Sequence, residues 1–318
     1  MSLFGTRNEL PVEGRIADFD GATGWLNSEP LTVEGLRGKV VLVDFWTYTC
    51  INWLRTLGYV RAWAEKYADD GLVVVGVHTP EFPFEREVEN VRRAATELSV
   101  EYPIALDADY GVWDAFGNRY WPAAYIADTE GRIRHHQFGE GGYEECERVI
   151  QQLLREAGRE SVGDELVSVA DEGLEAQADW ANVETPETYL GYRQAQNFVD
   201  GDPDRLGLNQ WALSGDWRIE PGAAVLDGPH GAIRFRFHAR DVNLVLRAGG
   251  GSPVSFRVLL DGEPPGDAHG LDVGADGRGT LDEPRLYGLI RQPGPVTDRT
   301  VEIAFDAPGV EGYAFTFG

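Results

Sequence analysis

Residues 40–69, VVLVDFWTYTCINWLRTLGYVRAWAEKYAD, constrain the fold more than any other stretch of the chain. The apolar run at 40–45 reads as a buried strand. Leu54, Val60, Trp63 and Tyr67 then recur at spacings that give a helix over about residues 50–68 a single inward face. Cys50 stands at the join. The first N–H groups of a helix have no intrahelical partners and its dipole is positive at that end, so a thiolate there is stabilised. The thiolate is the nucleophilic form of cysteine. Free cysteine is also among the most buried residue types, which makes a structural role the competing reading. The position at a strand-to-helix join favours the reactive one.

Downstream of this stretch, Asp69-Asp70-Gly71 closes the helix, with Gly71 suited to the cap. Residues 72–77 (LVVVGV) form a second buried strand, 78–82 leave the sheet and 84–98 are helical. Residues 102–106 are extended, and 113–116 make a helical turn closed by Gly117. Trp121-Pro122 leads into the strand AAYIAD. Gly131 turns the chain into a strand at 133–138, and a helix follows at 143–154. The order β-α-β-α-β-β-α fits a thioredoxin-like sheet with helices on both faces. Residues 157–183 are acidic and short of large apolar side chains, so they read as a linker carrying one helix. From about residue 186, runs such as AIRFRFH, VNLVLRA, VSFRVLL and TVEIAF alternate apolar and polar between Gly-rich turns. That is the pattern of an antiparallel β-sandwich. The expected domains are 1–157 and 186–318, with an acidic linker at 158–185.

The formal net charge of −25 disfavours nucleic acid and anionic membranes as partners. Two cysteines, Cys50 and Cys146, are too few for a disulfide-stapled fold or a structural zinc site. The six histidines lack metal-ligand spacing, and adjacent His135 and His136 should point to opposite faces of a strand. No cofactor or metal is expected. No run is long and apolar enough for a transmembrane helix, and the opening residues lack a signal-peptide core. As written, the chain is expected to be cytoplasmic. It would be extracytoplasmic if Met1-Ser2-Leu3 is a cloning scar that replaced an upstream membrane segment.

Several other side chains are candidates for the Cys50 site. His78 and Glu81 follow a parallel strand, where sites form in α/β sheets, and His78 either serves as a base for Cys50 or fixes the loop. Trp46, Trp53, Trp113, Tyr120 and Trp121 either surround Cys50 with an aromatic surface or belong to the core. Arg55 would favour the thiolate if it turned back toward Cys50. Thr47 precedes Cys50 by three, an arrangement similar to part of the peroxiredoxin motif, whose hydroxyl helps orient peroxide. The proline of that motif is Val43 in this chain. Pro122 reads as an ordinary strand start on its own. In the second domain Trp211 and Trp217 are candidate platforms for a glycan, with core packing the preferred reading.

The segment WTYTCINW (46–53) resembles the active-site segment of the redoxin branch of thioredoxin-like proteins, Trp-Thr-Tyr-Thr-Cys-Ile-Asn-Cys. Trp53 stands where that branch has its second cysteine. The resemblance extends over LRGKVVLVDFWTYTCINWLRTLGYVRAW (36–63), GVHTPEFPFE (76–85), YPIALDADYGVWDAFGNRYWPAAYIAD (102–128) and FGEGGYEECERVIQQLL (138–154). In the second half it covers ETYLGYRQAQNF, VLLDGEPPGDAHGLDV, RLYGLIRQ and the terminal YAFTFG. Together these segments resemble the DipZ-type family, a redoxin domain joined to a carbohydrate-binding-module-like β-sandwich. The resemblance implies an α/β thioredoxin fold followed by an all-β jelly-roll-like sandwich, thiol–disulfide oxidoreductase chemistry with Cys50 as nucleophile, and a cis-proline at Pro122. It also sets the last helix of the first domain away from the active-site edge, so Cys146 is taken as structural or incidental. Gly58 stands where the family usually has proline.

Two functional readings follow. In the first, Cys50 works alone through a mixed disulfide or sulfenic acid that an external thiol resets, with a protein or peptide disulfide or a small thiol as partner. In the second, the chain is a redox-inactive binding protein in which Trp53 and Trp121 fill the groove and hold a peptide, protein or glycan.

Overall fold

The computed structural model describes residues 9–170, 172–201 and 205–318. Met1-Ser2-Leu3, whose origin as a cloning scar is the condition for the extracytoplasmic alternative above, lies outside the described residues. The chain divides into two compact units, Met1–Ala170 and Asp171–Gly318.

The first unit runs β1 (Gly14–Arg15), β2 (Gly24–Leu26), β3 (Val40–Trp46), α1 (Ile51–Tyr67) and β4 (Leu72–His78), followed by a 3-10 turn at Pro83–Arg86. It continues with α2 (Val88–Glu97), β5 (Ile104–Leu106), α3 (Gly111–Phe116), β6 (Ala123–Ala127), β7 (Arg132–Phe138) and α4 (Tyr143–Glu156). The sheet order is β1-β7-β6-β3-β4-β5-β2. β3 pairs in parallel with β4 and antiparallel with β6, so it is central and buried along its whole length. Strand residues alternate between faces. Val41, Val43 and Phe45 pack with Val112 and Phe116 of α3, while Asp44 and Trp46 meet Trp53 of α1. This is the thioredoxin fold. α1 ends at the αR cap Ala68, and Gly71 takes positive φ three residues later, where the chain turns into β4. The helix passes Gly58 without interruption.

Glu147 of α4 joins the helices to the segment that follows them. Its buried carboxylate accepts hydrogen bonds from Trp63 Nε1 (3.1 Å), Lys66 Nζ (2.9 Å), Tyr67 O–H (2.7 Å) and Val167 N–H (2.9 Å). Burial alone would raise its pKa, but these donors hold it below the usual carboxylate range. Part of the acidic segment at 158–170 is therefore bound to the first unit. Residues beyond 171 are bound to the second unit through Gln177 O, which accepts from Arg240.

The second unit is all β: β8 (Thr188–Tyr189), β9 (Trp211–Ile219), β10 (Ala224–Phe237), β11 (Asp241–Ala248), β12 (Val254–Leu260), β13 (Arg278–Leu281), β14 (Arg285–Arg291), β15 (Arg299–Phe305) and β16 (Val310–Phe317). Its antiparallel ladder runs β13-β12-β15-β10-β16-β11-β14, with β8 on β16 and β9 on β10. The long strand β10 pairs with β16 through its first residues and with β15 through its last seven. Its register against β9 shifts between Leu226 and Gly231, the stretch over which β10 passes from β16 to β15. Asp261 and Gly262 both take positive φ at the tight turn leaving β12, where glycine and aspartate tolerate that geometry. Trp211 is fully buried in the core of this unit and is not a surface platform. Trp217 lies half-buried, edge-on to Phe305, with its N–H donated to Ser214 O.

Candidate active site

Cys50 is the N-cap of α1 and is partly exposed. Its N–H donates to Thr47 O (3.2 Å), and its own carbonyl accepts the first i+4 bond of the helix, from Leu54 (3.0 Å). Its Sγ lies 3.7 Å from Trp121 O. The Trp121–Pro122 peptide is cis, and Pro122 O accepts the N–H of Gly139 (2.9 Å). The thiol thus stands at a helix N-terminus beside the carbonyl that precedes Pro122. Partial exposure and a helix N-terminus are two features that favour the thiolate form of a cysteine.

Trp53 occupies a different place from the one a groove-filling role requires. It is fully buried on the inner side of α1, stacked on Trp46 with ring centroids 4.3 Å apart. Its Nε1–H donates to Asp44 Oδ2 (2.9 Å). Asp44 is itself fully buried, and burial raises its pKa to about 7 despite that hydrogen bond. Trp53 is therefore part of the core beneath the thiol, and the reading in which it holds a ligand is corrected. Trp46 is equally buried.

His78 is also a core residue. Its ring lies edge-on to Trp46 (4.8 Å) and stacked with Tyr48 (5.7 Å), and burial lowers its pKa to about 3. An imidazole that resists protonation so strongly is a poor proton acceptor at neutral pH. In the structure it packs between Trp46 and Tyr48. Glu81 gives its backbone N–H to Glu85 Oε2. Glu85 is a feature that the sequence reading missed. Its fully buried carboxyl accepts from Thr49 O–H (2.6 Å) and from the N–H groups of Glu81 (2.6 Å) and Phe82 (2.8 Å), which braces the loop entering α1. Burial raises its pKa against these hydrogen bonds. Thr47 is fully buried, so its hydroxyl is not presented to solvent.

The exposed part of the site is aromatic on one side. Trp121 is half-buried, 4.3 Å from Trp113, and donates Nε1–H to Thr79 O (3.1 Å). Tyr120 is 51% exposed and packs 5.0 Å from Phe138, so only the outer members of the expected aromatic set reach the surface. Arg55 does not turn back along the helix; it is buried and paired with Glu140 (3.4 Å). Cys146 is buried in α4 and burial pushes its thiol up to about 12, which leaves it inert. Among the described residues no group of three His, Cys, Asp or Glu could hold a metal ion, and no helix is long and apolar enough to cross a membrane.

Residues 12–136 match the AhpC/TSA family, and residues 185–318 match the thioredoxin-like C-terminal domain. Protein DipZ of Mycobacterium bovis is 40% identical over 270 residues, which is 80% of this chain and 38% of that protein. The chain thus spans well under half the length of that relative. The thiol-disulfide oxidoreductase YkuV of Bacillus subtilis is 32% identical over 139 residues, covering 44% of this chain and 93% of that one. A solved structure of a thioredoxin-like protein in its oxidised form is 33% identical with a TM-score of 0.42, covering 46% of this chain and 97% of that chain.

Proposed function

The chain belongs to the thioredoxin-like family of thiol–disulfide oxidoreductases and is homologous to DipZ, and from that premise we propose that it acts through Cys50 alone. The observation that carries this reading is the pairing of an accessible thiol at the N-terminus of α1 with a buried indole at the position of the second thiol. The thiolate of Cys50 attacks one sulfur of a protein or peptide disulfide. That S–S bond breaks, a Cys50–sulfur bond forms, and the other sulfur leaves as a thiolate that takes a proton from water. Trp53 has no sulfur with which to attack the new bond, and Cys146 is buried and held protonated. The mixed disulfide therefore persists until an external thiolate attacks the partner sulfur and returns Cys50 as thiolate. With a hydroperoxide, the Cys50 thiolate takes the terminal oxygen and becomes a sulfenic acid, the alkoxide or hydroxide leaves, and two external thiols complete the reduction to thiol, disulfide and water.

The binding-protein alternative loses its main support because Trp53 faces the core. Turnover of a peptide disulfide or a small peroxide in the presence of excess glutathione tests the proposal. The wild type is expected to be active, and Cys50→Ser is expected to lower the rate by about a thousandfold or more, the scale of losing a catalytic nucleophile. Equal turnover by both proteins would refute it.

A further inference from the structure

Arg55 sits in the second turn of α1, 2% exposed, with its Nη1 3.4 Å from Glu140 Oε2. A cation near a helix N-terminus opposes the dipole, and a buried charge is costly to desolvate. Replacing such a pair by apolar residues of similar volume is often neutral or stabilising. Neither group has a place in the chemistry derived above, so the pair calls for another reason.

The connections supply one. Glu140 follows Gly139, whose N–H holds Pro122 O (2.9 Å). The residue before Pro122 presents its carbonyl to Cys50 Sγ (3.7 Å). Cys50 and Arg55 share α1. The contacts therefore close a ring: thiol, Trp121–Pro122, Gly139–Glu140, Arg55 and back along the helix to the thiol. In this ring the ion pair is a charged contact between α1 and the loop after β7.

We propose that Arg55 and Glu140 form a positioning clamp that sets where the Trp121–Pro122 segment lies relative to the Cys50 thiol, and that this clamp selects partners which approach as an extended chain. The proposal rests on the single-cysteine reading and deepens it. Exchange needs the attacking sulfur and both partner sulfurs nearly in line. A partner chain lying against residues 121–122 can meet that demand only if the segment is held in place. A small electrophile approaches the same thiol from any open direction and does not depend on the clamp. A misplacement of about 1 Å remote from the chemistry can slow an oriented reaction by about a hundredfold.

The test compares two rates at Cys50 in each protein. One is alkylation by iodoacetamide; the other is mixed-disulfide formation with a peptide disulfide. Glu140→Gln loosens the pair, and the double variant Arg55→Met/Glu140→Met removes both charges without leaving either buried alone. Thermal unfolding identifies which variants remain folded. In folded variants the peptide reaction is expected to slow by about tenfold or more while alkylation changes less than about threefold. Equal changes in both rates, or no change in either, in the folded double variant would overturn the clamp while leaving Cys50 as nucleophile. A wild type that forms no peptide adduct at Cys50 would overturn the single-cysteine reading and the clamp with it.

Discussion

Replacing Asp44 by asparagine is expected to stabilise the first unit at pH 7 and above, and to leave it unchanged near pH 4. The unfolded carboxyl titrates near 3.8, whereas the folded one titrates at about 7 because it is fully buried. Between those values the unfolded chain has lost a proton that the folded chain retains, so stability falls as pH rises through this window. The full difference corresponds to about 4 kcal/mol and, with relaxation of the site, a gain of roughly 1–4 kcal/mol is expected for Asp44→Asn. The asparagine oxygen can still accept from Trp53 Nε1, so the hydrogen bond need not be lost. His78 acts in the opposite sense. Its folded pKa of about 3 lies below the ordinary 6.5, so its contribution is intact above 6.5 and is lost as pH falls toward 3. His78→Phe is therefore expected to be neutral at pH 8 and relatively stabilising near pH 4–5. Urea unfolding of wild type and both variants across pH 4–8 gives these differences. Slopes of the same sign for the two variants would contradict the assignment of both side chains to the core.

Trp53→Ala is expected to cost the first unit about 3–5 kcal/mol, the scale for emptying a buried aromatic site. Trp53 is fully buried, stacks on Trp46 and supplies a hydrogen bond to Asp44. Trp53→Phe separates these contributions. It keeps a ring against Trp46 but removes the donor, and a loss of about 1–3 kcal/mol is expected at pH 8, where Asp44 is ionised. The loss should shrink near pH 5, where the carboxyl is protonated and its need for a donor is smaller. Trp53→Cys restores the second thiol of the family motif yet leaves much of the indole volume empty, so a cost close to that of alanine is expected. A change below about 1 kcal/mol for Trp53→Ala would mean that the indole is a surface group, contrary to its packing.

The sequence carried the architecture because its signals there are local. An apolar strand, a helix with one inward face and a cysteine at their join can be read within thirty residues, and alternation marks the strands of the second unit. The site was legible only in part. Asp44 stands in plain view inside the apolar run, but its meaning depends on the indole nine residues later that donates to it. The burial of Trp53 and His78 follows from which face of α1 and β4 each occupies, and an aromatic residue next to a cysteine fits groove and core equally well in a linear reading. Arg55 and Glu140 are 85 residues apart, and only the return of β7 to the helix brings them together. Glu85 was visible as the end of FPFE, yet its role requires the loop to fold back on Thr49.

The most direct test of the account is to mix the protein with a peptide disulfide, remove the excess, and follow the adduct by intact mass and peptide mapping. One peptide per chain is expected, linked to Cys50, stable over hours and released on adding glutathione. An adduct that resolves without added thiol, or one attached to Cys146, would contradict a site built on one working cysteine above a tryptophan-filled core.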